Sequence, residues 1–183
     1  MLAPVLRSAL ERAHTLSSWE VQRNARAFGV APERFVFIPF PLTATGDELP
    51  TLEDRGRRVL ASGRTLCDWP LVFAAAEGQA WDLEIVCAGA ERPIVERLNT
   101  SGLARVRSDI PRETHGELMR EIAVYLLPLR EAEVSSGHIR LMTAIAAETP
   151  VVASNVSGLA EYLEGVAMTV PSGVSFGAFT PSF

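Results

Sequence analysis

From Arg58 onward the chain alternates short apolar runs with longer amphipathic ones. The apolar runs fall at 59–61, 83–88, 104–106, 124–127, 151–153 and 167–170. They are rich in Val, Leu, Ile and Ala and carry few polar interruptions, which is how a strand buried on both faces reads. The stretches between them, near 69–77, 93–98, 113–121, 139–147 and 160–163, have helical spacing. This alternation predicts an α/β domain with a doubly wound parallel sheet of about six strands and helices on both faces.

Before Arg58 the pattern differs. Leu6, Leu10, Ala13, Leu16 and Trp19 recur at helical spacing, so residues 5–28 read as helix. An interruption is expected at 15–18, where Ser17 or Ser18 can cap a second helix, and Gly29 suits its C-terminus. Residues 35–38 read as a strand stopped by Pro39 and Pro41, and 43–57 as a polar linker or exposed loop. The last twelve residues, 172–183, have no helical period and read as an irregular tail. The chain thus divides into an N-terminal helical segment, strand and linker (1–57), a sheet domain (58–171) and that tail.

Composition narrows the function classes. The 183 residues carry a net charge of −5 with scattered arginines, which leaves no electrostatic footprint for nucleic acid. The N-terminus is too short and polar for a signal peptide, and no run is long enough to span a membrane, so a cytoplasmic location is expected. Cys67 and Cys87 sit in or beside apolar runs and read as buried thiols, not a disulfide. His14, His115 and His138 are dispersed and neighbour no cysteine, so no metal site is expected.

Ligands of such sheets bind at the carboxyl ends of the strands, so the turns there matter most. Neither G-x-G-x-x-G nor G-x-x-x-x-G-K-[ST] follows any strand. Two weaker signals remain. Gly63 and Arg64 follow the first strand of the domain, where the glycine permits a tight turn and the guanidinium can grip a phosphate. Ser135, Ser136 and Gly137 open the helix at 139–147, and amides at a helix N-terminus bind anions. Each has a plain alternative: an exposed arginine, and an ordinary serine cap.

The downstream text joins these signals. The run from Ala144 to Ser154 (AIAAETPVVAS), followed by Ser157, Gly158 and Glu161, is similar to the family-4-like, group 1 glycosyltransferases of the GT-B fold. Ser62, Gly63 and Arg64 match an earlier signature of that family, and 83–89 resembles its second strand and turn. The resemblance covers about 59–171. Even 16–20 through Pro39 resembles the last helix and crossing strand that precede this domain. It implies a Rossmann-like domain forming one half of a GT-B architecture.

The departures are specific. The family's two glutamates, eight positions apart, are replaced by Ser135 and Thr143, and 135–137 resembles a variant Ser-Ser-Gly loop. Cys67, Asp68 and Trp69 stand where a diphosphate-binding lysine is usual. Glu148 replaces a glycine; if that position needs positive φ, the strain is about 1 kcal/mol or more.

The resemblance implies a nucleotide-sugar-binding half that transfers a hexose from a nucleoside-diphosphate sugar to an acceptor, with retention and without a metal. The sugar nucleotide is the donor substrate and no cofactor is implied. The acceptor site would come from a partner chain or a missing N-terminal domain, and without it no transfer is expected. No catalytic side chain is assigned, because electrostatic stabilisation of the leaving diphosphate needs no titrating group. The implied substrate-binding residues are Gly63, Arg64, Ser135, Ser136, Gly137 and Thr143. Arg64→Ala and Gly137→Val are both expected to weaken diphosphate binding without unfolding the chain. Against this stand a non-enzymatic or decayed nucleotide-binding module and, more remotely, one half of a sugar-nucleotide epimerase.

Overall fold

The computed structural model describes residues 9–42 and 49–172. Six strands, β3 (Arg58–Gly63), β4 (Asp82–Cys87), β5 (Ala104–Ser108), β6 (Val124–Leu127), β7 (Val151–Asn155) and β8 (Met168–Pro171), form one sheet. All its pairings are parallel, in the order β5-β4-β3-β6-β7-β8. The order reverses between β3 and β6, which makes their carboxyl ends the topological switch point. The doubly wound reading is borne out.

Alternation along the strands fills a layer on each face. Val59 and Ala61 pack with Leu83, Ile85 and Leu126 beneath α3 (Trp69–Ala76) and α4 (Arg92–Leu98). Leu60, Tyr125, Leu127 and Ala153 pack with Met119 of α5 (Arg112–Glu121) and with Leu141 and Ala144 of α6 (His138–Ala146). Leu163 of the short α7 (Ala160–Leu163) closes this second layer. The strands are therefore apolar on both faces, as their sequences require.

Ahead of the domain lies a smaller unit. Helix α1 (Ser18–Phe28) is capped by Ser17 and ends at Gly29, which takes φ 64°. The expected helix over 5–28 is corrected in its first part, because Ala13–Thr15 is a strand, β1, paired in parallel with β2 (Phe35–Phe37). The spacing of Leu10, Ala13 and Leu16 suits either element, and the available partner strand decides it. Residues 5–8 of that expectation, and nearly all of the expected tail, lie outside the described residues.

Of the expected linker 43–57, residues 43–48 lie outside the described residues, and the remainder carries a short helix. Thr51 and Asp54 form a reciprocal capping box that starts α2 (Leu52–Arg55). Arg55 is only 2% exposed. Its guanidinium donates to the carbonyls of Pro50 at 3.1 Å and Ala147 at 3.1 Å, and to Thr149 Oγ1 at 3.0 Å. The chain entering β3 is thereby fastened to the C-terminal end of α6, where a cation is favoured.

Candidate functional site at the switch point

The loops leaving β3 and β6 are braced to each other by backbone. Asp68 N–H donates to Pro128 O and Arg130 N–H to Leu66 O, each at 2.8 Å. Leu66 takes φ 59°, an uncommon conformation for a branched residue, and it lies at this mouth. Below the brace, Gly63 ends β3. A Cβ there would collide with the guanidinium of Arg140 and with Sγ of Cys67. Gly63 is therefore required for close approach of a side chain.

Arg140 comes from the first turn of α6. Its Nη1 donates to the carbonyl of Ser62 and approaches Cys67 Sγ at 3.5 Å. Among the described residues no carboxylate lies within 4.0 Å of it, whereas Arg23, Arg58, Arg64, Arg92 and Arg107 each make such a pair. A cation in the first turn opposes the helix dipole. Arg140 is thus a half-buried charge, without a close counter-ion, at the N-terminal end of α6. Arg55, at the other end of that helix, is satisfied by several carbonyls and favoured by the dipole; Arg140 has the single Ser62 carbonyl and is opposed by the dipole.

Arg64 is placed differently. Its side chain is 80% exposed and leans to Asp109, 3.8 Å away, at the end of β5. That direction leads across the sheet away from β6 and α6. No described contact joins Arg64 to residues 135–137.

The loop before α6 has mixed roles. Gly137 has φ 92°, and a Cβ on it would meet Leu129 Cδ1 at 2.8 Å and Leu159 Cδ1 at 3.0 Å. Its glycine is thus a packing and backbone requirement, and Gly137→Val acts on folding first; the expectation that this change spares the fold is corrected. Ser135 N–H is already taken by Glu20 Oε1 at 2.9 Å, and Ser135 Oγ lies 3.0 Å from Ser17 Oγ. Ser136 is half-buried beside them. Thr143 turns its hydroxyl back to Ile139 O at 2.7 Å, one turn along the helix. Glu148 takes φ 49°, the positive value that its glycine-like place demands.

His138, first in α6, is 3% exposed, and its Nε2 has no hydrogen-bond partner among the described residues. Tyr162 meets its ring edge-on at 4.7 Å and Phe40 stacks at 6.5 Å. Burial lowers its proton affinity, against the pull of Glu20 and of the Gly158 carbonyl. The small N-terminal unit is docked at this same point. Tyr162 OH donates to Leu16 O at 2.6 Å and accepts from Phe40 N–H at 2.9 Å, and Arg23 pairs with Glu133 at 2.9 Å.

A deeper cluster lies under Arg140. Ser62 Oγ is 2.8 Å from His115 Nε2 and 2.9 Å from Tyr125 OH. The sequence reading missed Arg140, His115 and Tyr125. One signal was available for Arg140: a basic residue in the first turn of a helix, where it is disfavoured. His115 and Tyr125 carried none, because only the crossover of α5 brings them to β3.

Together, a half-buried guanidinium, the amide end of α6 and a glycine-lined approach make an arrangement suited to an anion. Among the described residues no helix is long and apolar enough to cross a membrane.

The chain matches the family model described as glycosyl transferases group 1 over residues 65–176. That span includes Ser135, Arg140 and Thr143 and begins just past Arg64. No curated protein sequence matches the chain significantly. Among solved structures it is similar to a glycosyltransferase from Rickettsia africae, at 11% identity and TM-score 0.72, covering 95% of this chain and 53% of that one. It is similar to sucrose-phosphate synthase from Thermosynechococcus elongatus, at 21% identity and TM-score 0.70, covering 94% and 49%. It is also similar to HepE of Anabaena, solved with UDP-glucose, at 16% identity and TM-score 0.69, covering 96% and 56%. The chain spans about half the length of these structures. The family match, over more than half of the chain, agrees with a six-stranded parallel sheet of the kind found in GT-B enzymes, and the chain belongs to the group 1 glycosyltransferases.

Proposed function

We propose that this chain is the donor-binding half of a glycosyltransferase and binds a nucleoside-diphosphate sugar at the switch point. The observation that carries the reading is Arg140, a half-buried cation with no carboxylate within 4.0 Å among the described residues, beside the N-terminus of α6. A diphosphate supplies a negative charge in direct contact, where Glu91 acts on Arg140 only from beyond 4.0 Å, and accepts from the α6 amides. HepE, in complex with UDP-glucose, supports the ligand class by analogy.

On this reading Arg140 and the helix amides stabilise charge on the departing diphosphate as the glycosidic bond forms. Arg64 reaches the ligand only by leaving Asp109. The acceptor comes from the other half of the enzyme, supplied by a further domain or a partner chain in the cytoplasm, and the 183 residues alone transfer no hexose.

Calorimetric titration with UDP, ADP and GDP and their glucose conjugates tests the reading. Saturable binding of one of them, weakened in Arg140→Gln, supports it; no binding to any of them refutes it. A second reading, a module that no longer binds nucleotide, is favoured by one observation: Glu20 already occupies the Ser135 amide. It predicts that all six titrations are flat, and that they stay flat in Glu20→Gln.

A further inference from the structure

The hydrogen bonds beneath Arg140 form a connected path through the core. Arg140 Nη1 donates to the carbonyl of Ser62. Tyr125 OH reaches the same carbonyl at 3.2 Å and Ser62 Oγ at 2.9 Å. Ser62 Oγ reaches His115 Nε2 at 2.8 Å. Ser62 is 2% and Tyr125 0% exposed, against a layer built mainly from Leu, Val, Ile, Met and Ala. Burying such hydroxyls costs free energy unless every partner is met, and a satisfied network then holds its members in one geometry. The β3–β6 register ends at Ala61 and Leu126, so beyond it side chains replace the ladder.

We propose that Ser62, Tyr125 and His115 are a buried relay that positions Arg140 and couples the charge of His115 to an anion held by Arg140. The proposal rests on the reading of Arg140 as the ligand-binding cation. His115, Ser62 and Tyr125 are positioning residues, since none of them touches the anion.

The coupling follows from the charges around His115. Ser62 of β3 is neutral, Tyr125 of β6 keeps its proton because burial raises its pKa, and Arg140 of α6 is the cation that acts on the ring. Burial first, and Arg140 second, lower the proton affinity of His115. An anion that neutralises Arg140 removes the second cause, so binding raises that affinity. By reciprocity, a proton on His115 tightens anion binding. Affinity for an anion therefore rises as pH falls through the titration of His115.

The test follows the His115 imidazole C2–H resonance by proton NMR from about pH 5 to 8, assigned by its loss in His115→Gln. In ligand-free protein, Arg140→Gln moves the midpoint to higher pH; an unmoved midpoint overturns the relay, whatever Arg140 binds. In wild type, saturating UDP also moves the midpoint to higher pH, and in Arg140→Gln it does not. If Arg140→Gln moves the midpoint but a bound nucleotide leaves it in place, or none of UDP, ADP and GDP binds, the Arg140–His115 interaction stands and the donor-site reading fails. Tyr125→Phe removes one hydroxyl at constant charge and shape. It weakens UDP binding by about 2- to 10-fold, and unchanged affinity with an unchanged UDP-induced movement overturns the relay even if Arg140→Gln does not fold.

Discussion

The Glu20 carboxylate accepts the backbone N–H of Ser135 at 2.9 Å, joining α1 to the loop that opens α6 across 115 residues of chain. Its second oxygen accepts Leu16 N–H at 3.1 Å. Burial alone would raise its pKa, but the bonds from Ser135 and Leu16 and the facing His138 outweigh it and hold the carboxyl below its usual value. A carboxylate here occupies one amide of the proposed anion site and repels a second negative charge. Glu20→Gln keeps an acceptor and removes the charge. It is expected to tighten nucleoside-diphosphate binding by about 2- to 5-fold, the equivalent of one charge near a helix N-terminus. Calorimetry reads this directly; weaker binding would mean that Glu20 orders the site instead of competing for it.

Two glycines separate packing from binding. Gly63→Ala places a methyl group against Arg140 and Cys67 without demanding an unusual φ. Its predicted effect is displacement of Arg140, with at least about 10-fold weaker diphosphate binding and a stability cost of roughly 1–3 kcal/mol. Gly137→Val meets Leu129 and Leu159 at φ 92°. It is predicted to destabilise by about 2 kcal/mol or more, read as a lower denaturation midpoint before any ligand is added.

Arg55 serves as a control for Arg140. It too has no carboxylate within 4.0 Å among the described residues, but the carbonyls of Pro50 and Ala147 and Thr149 Oγ1 take its hydrogens. Arg55→Leu leaves those acceptors buried and is expected to cost roughly 1–3 kcal/mol. Urea denaturation measures the loss, and ligand affinity in the surviving folded protein stays unchanged.

The sequence pattern carried the sheet because each strand is apolar on both faces, as at Val59, Leu60 and Ala61, and such runs have one stable use. It carried Ser17 and Gly29 because caps are local chemistry. It lost β1, since Ala13–Thr15 becomes a strand only by pairing with β2. It lost α2, although Thr51 and Asp54 spell a capping box. Of the site, the loop 135–137 was legible from its place before a helix. Arg140 was not, because its meaning depends on the missing counter-ion and on the collision a Cβ at Gly63 would make, both facts of packing.

Stability should fall on mild acidification. Burial is the main cause that lowers the proton affinity of His115 and His138 below the ordinary 6.5, so the unfolded chain takes up their protons first. Their contribution is complete above about pH 6.5 and is lost as pH falls below it; the contribution of Glu20 is lost only at lower pH, below its ordinary 4.5. Thermal denaturation is expected at a lower temperature near pH 5.5 than near pH 7.5. His138→Phe suits a ring already packed on Phe40 and Tyr162 and removes the unpartnered Nε2. It should flatten part of this dependence, and an unchanged slope would assign the effect elsewhere.

The central claim is that Arg140, at the amide end of α6, holds the diphosphate. Its most direct test is calorimetric titration of wild type, Arg140→Gln and Arg64→Ala with UDP, ADP and GDP under one condition. The account predicts that Arg140→Gln weakens the nucleotide that binds by about 10- to 150-fold, the value of one charge-assisted hydrogen bond. It predicts a smaller loss in Arg64→Ala, whose guanidinium is exposed and turned to Asp109. Equal affinity in wild type and a folded Arg140→Gln, or a larger loss in Arg64→Ala, would contradict it.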